Sequence, residues 1–295
     1  MGIFDDIKRS FYRGSSLTQL IYINVGVFIF ISLASITGFL LTNPLIDETT
    51  LKFLAVPASL EKLLLKSWTL ITYMFLHKDI WHILFNMLWL YWFGTIFLHI
   101  LDQRKLVAVY LIGGICGAVL YIVSFNIFPA FNEIINESVA IGASASVMAV
   151  VVAIAAYSPD YSINLLLLGR IKIKYMALAI LILTSFMDFS VNSGGKLAHI
   201  GGAVFGYIYA IKLRQGSDLG KGMNKIIDFF ATLFKPRKKL KVKYKRPVND
   251  YEYNKVKADR QAKIDEILDK ISKGGYDSLT KEEKNTLFRE SQSRN

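Results

Sequence analysis

The sequence predicts an all-α membrane protein, a bundle of six transmembrane helices followed by a small cytosolic helical tail. Three observations carry this prediction. Of 295 residues, 53% are hydrophobic, more than a soluble domain with a polar surface needs. Apolar runs of the roughly 20 residues that a hydrocarbon core of about 30 Å demands of a helix recur between residues 17 and 213 only. The basic residues between those runs fall on alternate sides of the bundle.

Residues 1–16 form a short N-terminal cytosolic segment. They lack the short apolar core and small-residue cleavage site of a signal peptide, so the first span is expected to be retained. Residues 17–213 are the membrane domain, with spans at about 17–41, 81–101, 106–128, 140–157, 175–191 and 197–213. Lys8, Arg9 and Arg13 precede the first span, Arg104 and Lys105 separate the second from the third, and Arg170, Lys172 and Lys174 precede the fifth. With Lys212 and Arg214 after the sixth, the positive-inside pattern puts both termini in the cytoplasm. Residues 129–139 carry Glu133 and Glu137 without a basic residue, as an outer loop should. The connection 42–80 departs from that pattern with Lys52, Lys62, Lys66 and Lys78, but a loop of this length weighs less on topology. It mixes Pro44 and Pro57 with amphipathic runs such as LEKLLLKSW, so it has structure of its own.

Residues 214–295 are a basic linker and a small helical tail. Ile264, Ile267, Leu268 and Ile271 recur at helical spacing, Gly274 and Gly275 end that helix, and Thr280 with Glu283 has the capping-box pattern of a second. The net charge of +12 has the sign of a nucleic-acid binder, but much of it lies in FKPRKKLKVKYKR, residues 234–246, directly after the membrane domain. Anionic lipid headgroups explain that cluster more simply, and no nucleic-acid partner is expected. The lone Cys116 excludes an internal disulfide and thiolate metal sites, and no HExxH is present.

Polar side chains are costly inside a bilayer unless paired, and a cluster of them is a functional candidate. The second span opens WHILFNMLWLYWFG, with His82 and Asn86 four apart on one helix face. The fourth opens GASAS, with Ser144 in its first turns, and the sixth opens KLAHIGGAVFGY, with His199 near its start. Spans two, four and six all run from outside to inside, so these four residues share one depth near the outer boundary. From Ile141 to Tyr157 the fourth span has 17 residues, about 25 Å of helix, so its serine end is recessed and within reach of outside water. A serine hydroxyl needs a base within hydrogen-bond reach, and His199 is the well-placed imidazole on another helix. His82 and Asn86 are then left as donors to a developing oxyanion, beside the free backbone N–H of Ser144. Ser146 points about 200° away from Ser144 and reads as packing. His77 reads as a solvated loop histidine, His99 lies at the cytoplasmic end of its span, and Asp188 reads as a capping or loop residue at the outer end of the fifth.

At these residues the chain is similar to the rhomboid family of intramembrane serine proteases, of bacterial type. The resemblance covers roughly residues 60–213 and rests on three motifs in order: the HxxxN of His82 and Asn86, the GAS of Gly142 to Ser144, and the AHxxGxxxG from Ala198 to Gly206. It implies a six-helix core with a partly embedded first loop, and a Ser144 and His199 dyad without a third carboxylate. It also implies oxyanion help from His82 and Asn86, no metal or organic cofactor, and transmembrane proteins as substrates, cut in or near their membrane segments. An integral multi-pass protein of the bacterial inner membrane is the location that follows. Gly202 and Gly206 lie with His199 on one helix face, where small size lets the sixth span approach the fourth. Ala145 stands where the family pattern has a glycine, Met148 where it has an aromatic residue, and Trp68 with Thr69 where it has a tryptophan-arginine pair. These three positions would favour the alternative, a catalytically inactive relative that binds transmembrane helices for recognition or quality control. A small transporter with a midplane polar site would show internal symmetry, which the sequence lacks.

Overall fold

A computed structural model describes residues 2–43, 45–165, 169–187, 192–233 and 249–293. The chain begins with an amphipathic helix α1 (Ile3–Arg13), which folds back on α2 (Ser16–Leu40) through a Gln19 Nε2 bond to the Phe11 carbonyl, 3.2 Å. Ser15 caps α2, its hydroxyl accepting from the Thr18 amide. Little of α2 is covered by protein: Phe30, Leu33, Ile36 and Phe39 stand exposed along it. An apolar face of that size has lipid as its solvent.

The connection to the next long helix is built from α3 (Leu45–Leu54), strand β1 (Val56–Pro57), α4 (Leu60–Leu65) and α5 (Thr69–Thr72), with one 3₁₀ turn at Tyr73–Phe75. Two long apolar helices follow, α6 (Ile80–Ile100) and α7 (Gln103–Ile127), and with α2 they are, among the described residues, the three helices long and apolar enough to cross a membrane by length and composition. Asp79 and Asp102 cap them, each carboxylate accepting from a first-turn amide at 2.9 Å.

The fourth span differs from its sequence-based bounds. Residues Val139–Ala140 form strand β2, antiparallel to β1 with Val56 opposite Ala140, and helix α8 (Ser144–Tyr157) begins only at Ser144. Its 14 residues give about 21 Å of rise, so the helix is shorter than the sequence bounds implied. After α8 comes an antiparallel hairpin, β3 (Ser162–Leu165) and β4 (Gly169–Lys172), whose base is closed by Asp160 pairing with Lys172 and Lys174. Helix α9 (Ile173–Ser185) is short, and Asp188 lies outside the described residues. Helix α10 (Ser193–Arg214) packs most extensively on α8 and α7. A last helix of this unit, α11 (Lys221–Leu233), rests against α7.

Several polar groups inside the bundle are paired, as a low-dielectric interior favours. Asn24 on α2 donates to Tyr110 on α7 at 3.1 Å, and that hydroxyl donates to the Met74 carbonyl at 3.2 Å. Glycines set the closest approach. A Cβ on Gly202 would lie under 3.0 Å from the Ala145 carbonyl oxygen, and one on Gly206 would meet the Ala149 carbonyl one helical turn on. Both obstacles are backbone, so neither can move aside cheaply.

Residues 235–295 form a second unit. Helix α12 (Asp250–Gly274) ends at Gly275 with φ of +73°, a left-handed conformation that glycine adopts without strain. In α13 (Lys281–Ser293) the Thr280 amide donates to the Glu283 carboxylate at 2.8 Å and the Glu283 amide donates back to the Thr280 hydroxyl at 3.4 Å. Ile267 and Leu279 are the buried apolar contacts of this hairpin. The basic run 234–246 lies outside the described residues.

Gly202→Ala should lower the unfolding free energy by about 1–3 kcal/mol, the usual cost of overpacking, and Gly202→Val by more. Unfolding of the purified protein in mixed micelles measures both; an unshifted midpoint for the valine variant would contradict the packing described.

Candidate active site

Three loops and four helix ends converge on the candidate site, and the local sequence fixes each. Gly142 has φ of +123°, a region that L side chains avoid. There is no room for one either: a Cβ would stand 2.8 Å from His82 Nε2. The Gly142 amide donates to the Tyr73 carbonyl at 2.9 Å, and the Ala58 amide donates to the Ser138 carbonyl at 3.0 Å. Together with the β1–β2 pairing and the Lys62 ammonium on the Asn136 carbonyl, these bonds stitch the serine loop to the long first loop. Ser144 is therefore delivered at the first position of α8, where backbone N–H groups have no helical partner and the positive end of the helix dipole lies.

His82, Asn86, Ser144 and His199 line one cavity of about 360 Å³. Its walls are the first turns of α6, α8 and α10 and the last turn of α9, with Trp81, Phe85 and Met148 supplying apolar surface. Ser144 Oγ and His82 Nε2 both lie within 4 Å of the position a Gly142 Cβ would take.

The two imidazoles have defined tautomers. His199 Nδ1 is 3.3 Å from the Thr184 carbonyl oxygen. A carbonyl oxygen only accepts, so Nδ1 carries the proton, and Nε2 of the neutral ring is an acceptor. For His82 the logic is reversed. The Lys78 backbone N–H donates to His82 Nδ1 at 3.4 Å, so the ring proton sits on Nε2, the atom beside Gly142 and Ser144. Asn86 donates to the His82 carbonyl at 2.8 Å, which holds its side chain along the helix face that lines the cavity.

The remaining sequence candidates fall as follows. Gly202 and Gly206 lie below the cavity in the α8–α10 contact. Ser146 is buried against α7, where a Cβ on Gly114 would collide with its hydroxyl, and has no hydrogen-bond partner among the described residues. His99 is exposed at the opposite end of α6 and lines other cavities. His77 is not a solvated loop residue: it is 2% exposed, neither ring nitrogen has a close hydrogen-bond partner among the described residues, and its ring meets that of His82 edge-on with centroids 5.0 Å apart. Burial, and then the neighbouring His82, pushes its pKa down to about 4. The sequence hid this, because nothing in the spacing of a loop histidine says that the loop folds over it. Asp79, which the sequence reading did not single out, fixes the amide of His82. The Thr184 carbonyl has no sequence signal at all, since every residue carries one.

Ala145 occupies the position where a glycine was expected, and its methyl faces Gly117 of α7, whose missing side chain makes the room. The extra carbon is absorbed by a neighbouring helix without displacing Ser144 from the start of α8.

A match to the rhomboid domain covers residues 65–216, just over half of the chain, and the protein belongs to that family of intramembrane serine proteases. Residues 249–293 match a family of unknown function, DUF6576. No curated protein matches the chain significantly.

His77 stays neutral in the fold down to about pH 4, whereas in the unfolded chain it takes up a proton below about pH 6.5. Its contribution leaves stability untouched above pH 6.5 and removes about 1.4 kcal/mol per pH unit between the two values, roughly 3 kcal/mol in all. Thermal unfolding of wild type and His77→Phe across that range should show the smaller acid slope in the variant; equal slopes would mean that His77 is accessible to protons in the fold.

Proposed function

We propose that the protein is an intramembrane serine endopeptidase that cleaves peptide bonds in or near the transmembrane segments of other membrane proteins. The observation that carries this reading is the pairing of chemical states in one cavity. A serine stands at a helix N-terminus, an imidazole has its acceptor nitrogen free, and a second imidazole has its donor nitrogen beside that serine.

In this reading Ser144 Oγ attacks the scissile carbonyl carbon while His199 Nε2 takes its proton. The carbonyl oxygen becomes negative and accepts hydrogen bonds from the Ser144 backbone N–H, from His82 Nε2 and from Asn86 Nδ2. The tetrahedral intermediate collapses as His199 returns the proton to the leaving amine, giving an acyl ester on Ser144. Water then attacks the ester with His199 again as base, and the acid product leaves. The Thr184 carbonyl takes the orienting part that a carboxylate plays in a three-residue site, holding the ring in the tautomer with a basic Nε2.

Six crossings follow from the same assignment, with α2, α6, α7, α8, α9 and α10 as the spans and both termini on the cytoplasmic side of a bacterial inner membrane. The cavity then opens below the outer surface, where water can enter. A transmembrane substrate keeps its carbonyls in its own helix, so the segment that is cut should carry helix-weakening residues.

Ser144→Ala should abolish cleavage of a transmembrane substrate in detergent and labelling by a fluorophosphonate. His82→Ala should lower kcat by about 10²–10³-fold, the usual effect of removing one oxyanion donor. Labelling of wild type without cleavage would point to the wrong substrate; absence of labelling would favour the inactive, helix-binding relative.

A further inference from the structure

Helix α11 leaves the bundle in an unusual position. The turn before it is pinned: the Asp218 carboxylate accepts from the Gly220 amide at 2.8 Å and from the Tyr209 hydroxyl at 3.3 Å. Arg104 at the start of α7 pairs with Asp228 on the polar side of α11 at 3.2 Å. Met223 and Ile227 turn toward the bundle and are half-buried. The neighbouring flank is apolar and open, with Ile226 52%, Phe229 60% and Phe230 54% exposed. Spacings of three and four put these residues on one side of the helix.

That open flank lies at the end of the bundle where α10 finishes and α7 begins. Ile208 and Ile211, in the last turns of α10, are exposed as well, so the bundle also presents apolar surface at this end. Lys221 and Lys225 lie on α11 itself, and residues 235–246 follow with eight Lys and Arg and no acid (Lys235, Arg237, Lys238, Lys239, Lys241, Lys243, Lys245, Arg246). An apolar flank beside basic charge is the composition of a helix lying in the plane of a membrane, its aromatics at the headgroup boundary and its cations on anionic phosphates.

We propose that α11 is such an in-plane helix and that its partner is the anionic phospholipid of the leaflet at the Arg104 end of the bundle. The ion pair to Arg104 fixes the roll of the helix, so that Phe229 and Phe230 enter the leaflet while Asp228 stays on the protein. The positive charge of the sequence that follows it adds attraction to the same headgroups. This surface is separate from the cavity of Ser144 and stands whether or not that cavity is catalytic.

The test uses the full chain in nanodiscs of phosphatidylcholine alone or with phosphatidylglycerol, both faces being open to protease. Trypsin should cut within residues 235–246 about tenfold more slowly when phosphatidylglycerol is present, and high salt should restore the rate. A bimane on Phe230→Cys, in a Cys116→Ala background, should be quenched by bromine on the upper acyl carbons, and Phe229→Ser with Phe230→Ser should cut the protection at least severalfold. Unchanged thermal unfolding of that double variant separates lost binding from lost folding. Equal trypsin rates in the two lipids overturn the proposal. So does a bimane that bromine does not reach. Protection that instead grows with protein concentration in detergent would assign the flank to a second copy of the chain and overturn it too.

Discussion

Two hydrogens in place of two side chains set the distance between α8 and α10. At Gly202 and Gly206 the backbone of one helix lies against the carbonyls of Ala145 and Ala149 on the other, closer than any Cβ allows. Dispersion between surfaces in that proximity, with no competing water, is what holds transmembrane helices together. Everything at the upper end follows from it. His199 is three residues before Gly202 and Ser144 one before Ala145, so the contact that packs the helices also brings the imidazole and the alcohol to one cavity.

The second constraint comes from outside the helices. A serine on a short helix has no neighbour above it to hold its loop, and the long first loop supplies one. The β1–β2 bridge, the Tyr73 carbonyl and Lys62 all bind the segment just before Ser144, and Gly142 passes so close to His82 that no side chain fits between. Removing the loop would leave several backbone groups without partners in a poorly hydrated place. The loop is thus part of the site's framework, and its lysines, which count against the positive-inside pattern, are used in part for these bonds.

In the proposed reaction, the two imidazoles of the site are each in one state before a substrate arrives. Backbone groups, the Thr184 carbonyl and the Lys78 amide, choose the tautomers of His199 and His82 in opposite senses, so that one ring is ready to accept a proton and the other to donate a hydrogen bond. Preorganised dipoles of this kind are effective because they pay no reorganisation during reaction. The neutral, buried His77 against His82 belongs to the same arrangement: a charged ring there would be a buried ion without a counter-charge beside the imidazole that donates.

Much of this was legible in the residues. Apolar runs of membrane length gave the helices, because a bilayer imposes length and hydropathy together, and three of them meet that standard outright in the structure. HxxxN, GAS and AHxxGxxxG marked the four polar residues and the glycines, because costly residue types in an apolar run stand out. Thr280 with Glu283 marked a helix start, since capping is local in sequence. Tertiary structure alone decided the true beginning of α8 at Ser144, the burial of His77, the room that Gly117 leaves for Ala145 and the tautomers of both imidazoles. The physical reason is the same for all four: each depends on a backbone group or a gap supplied by a distant segment, and a carbonyl, an amide or an absent side chain leaves no mark on the sequence that it will serve.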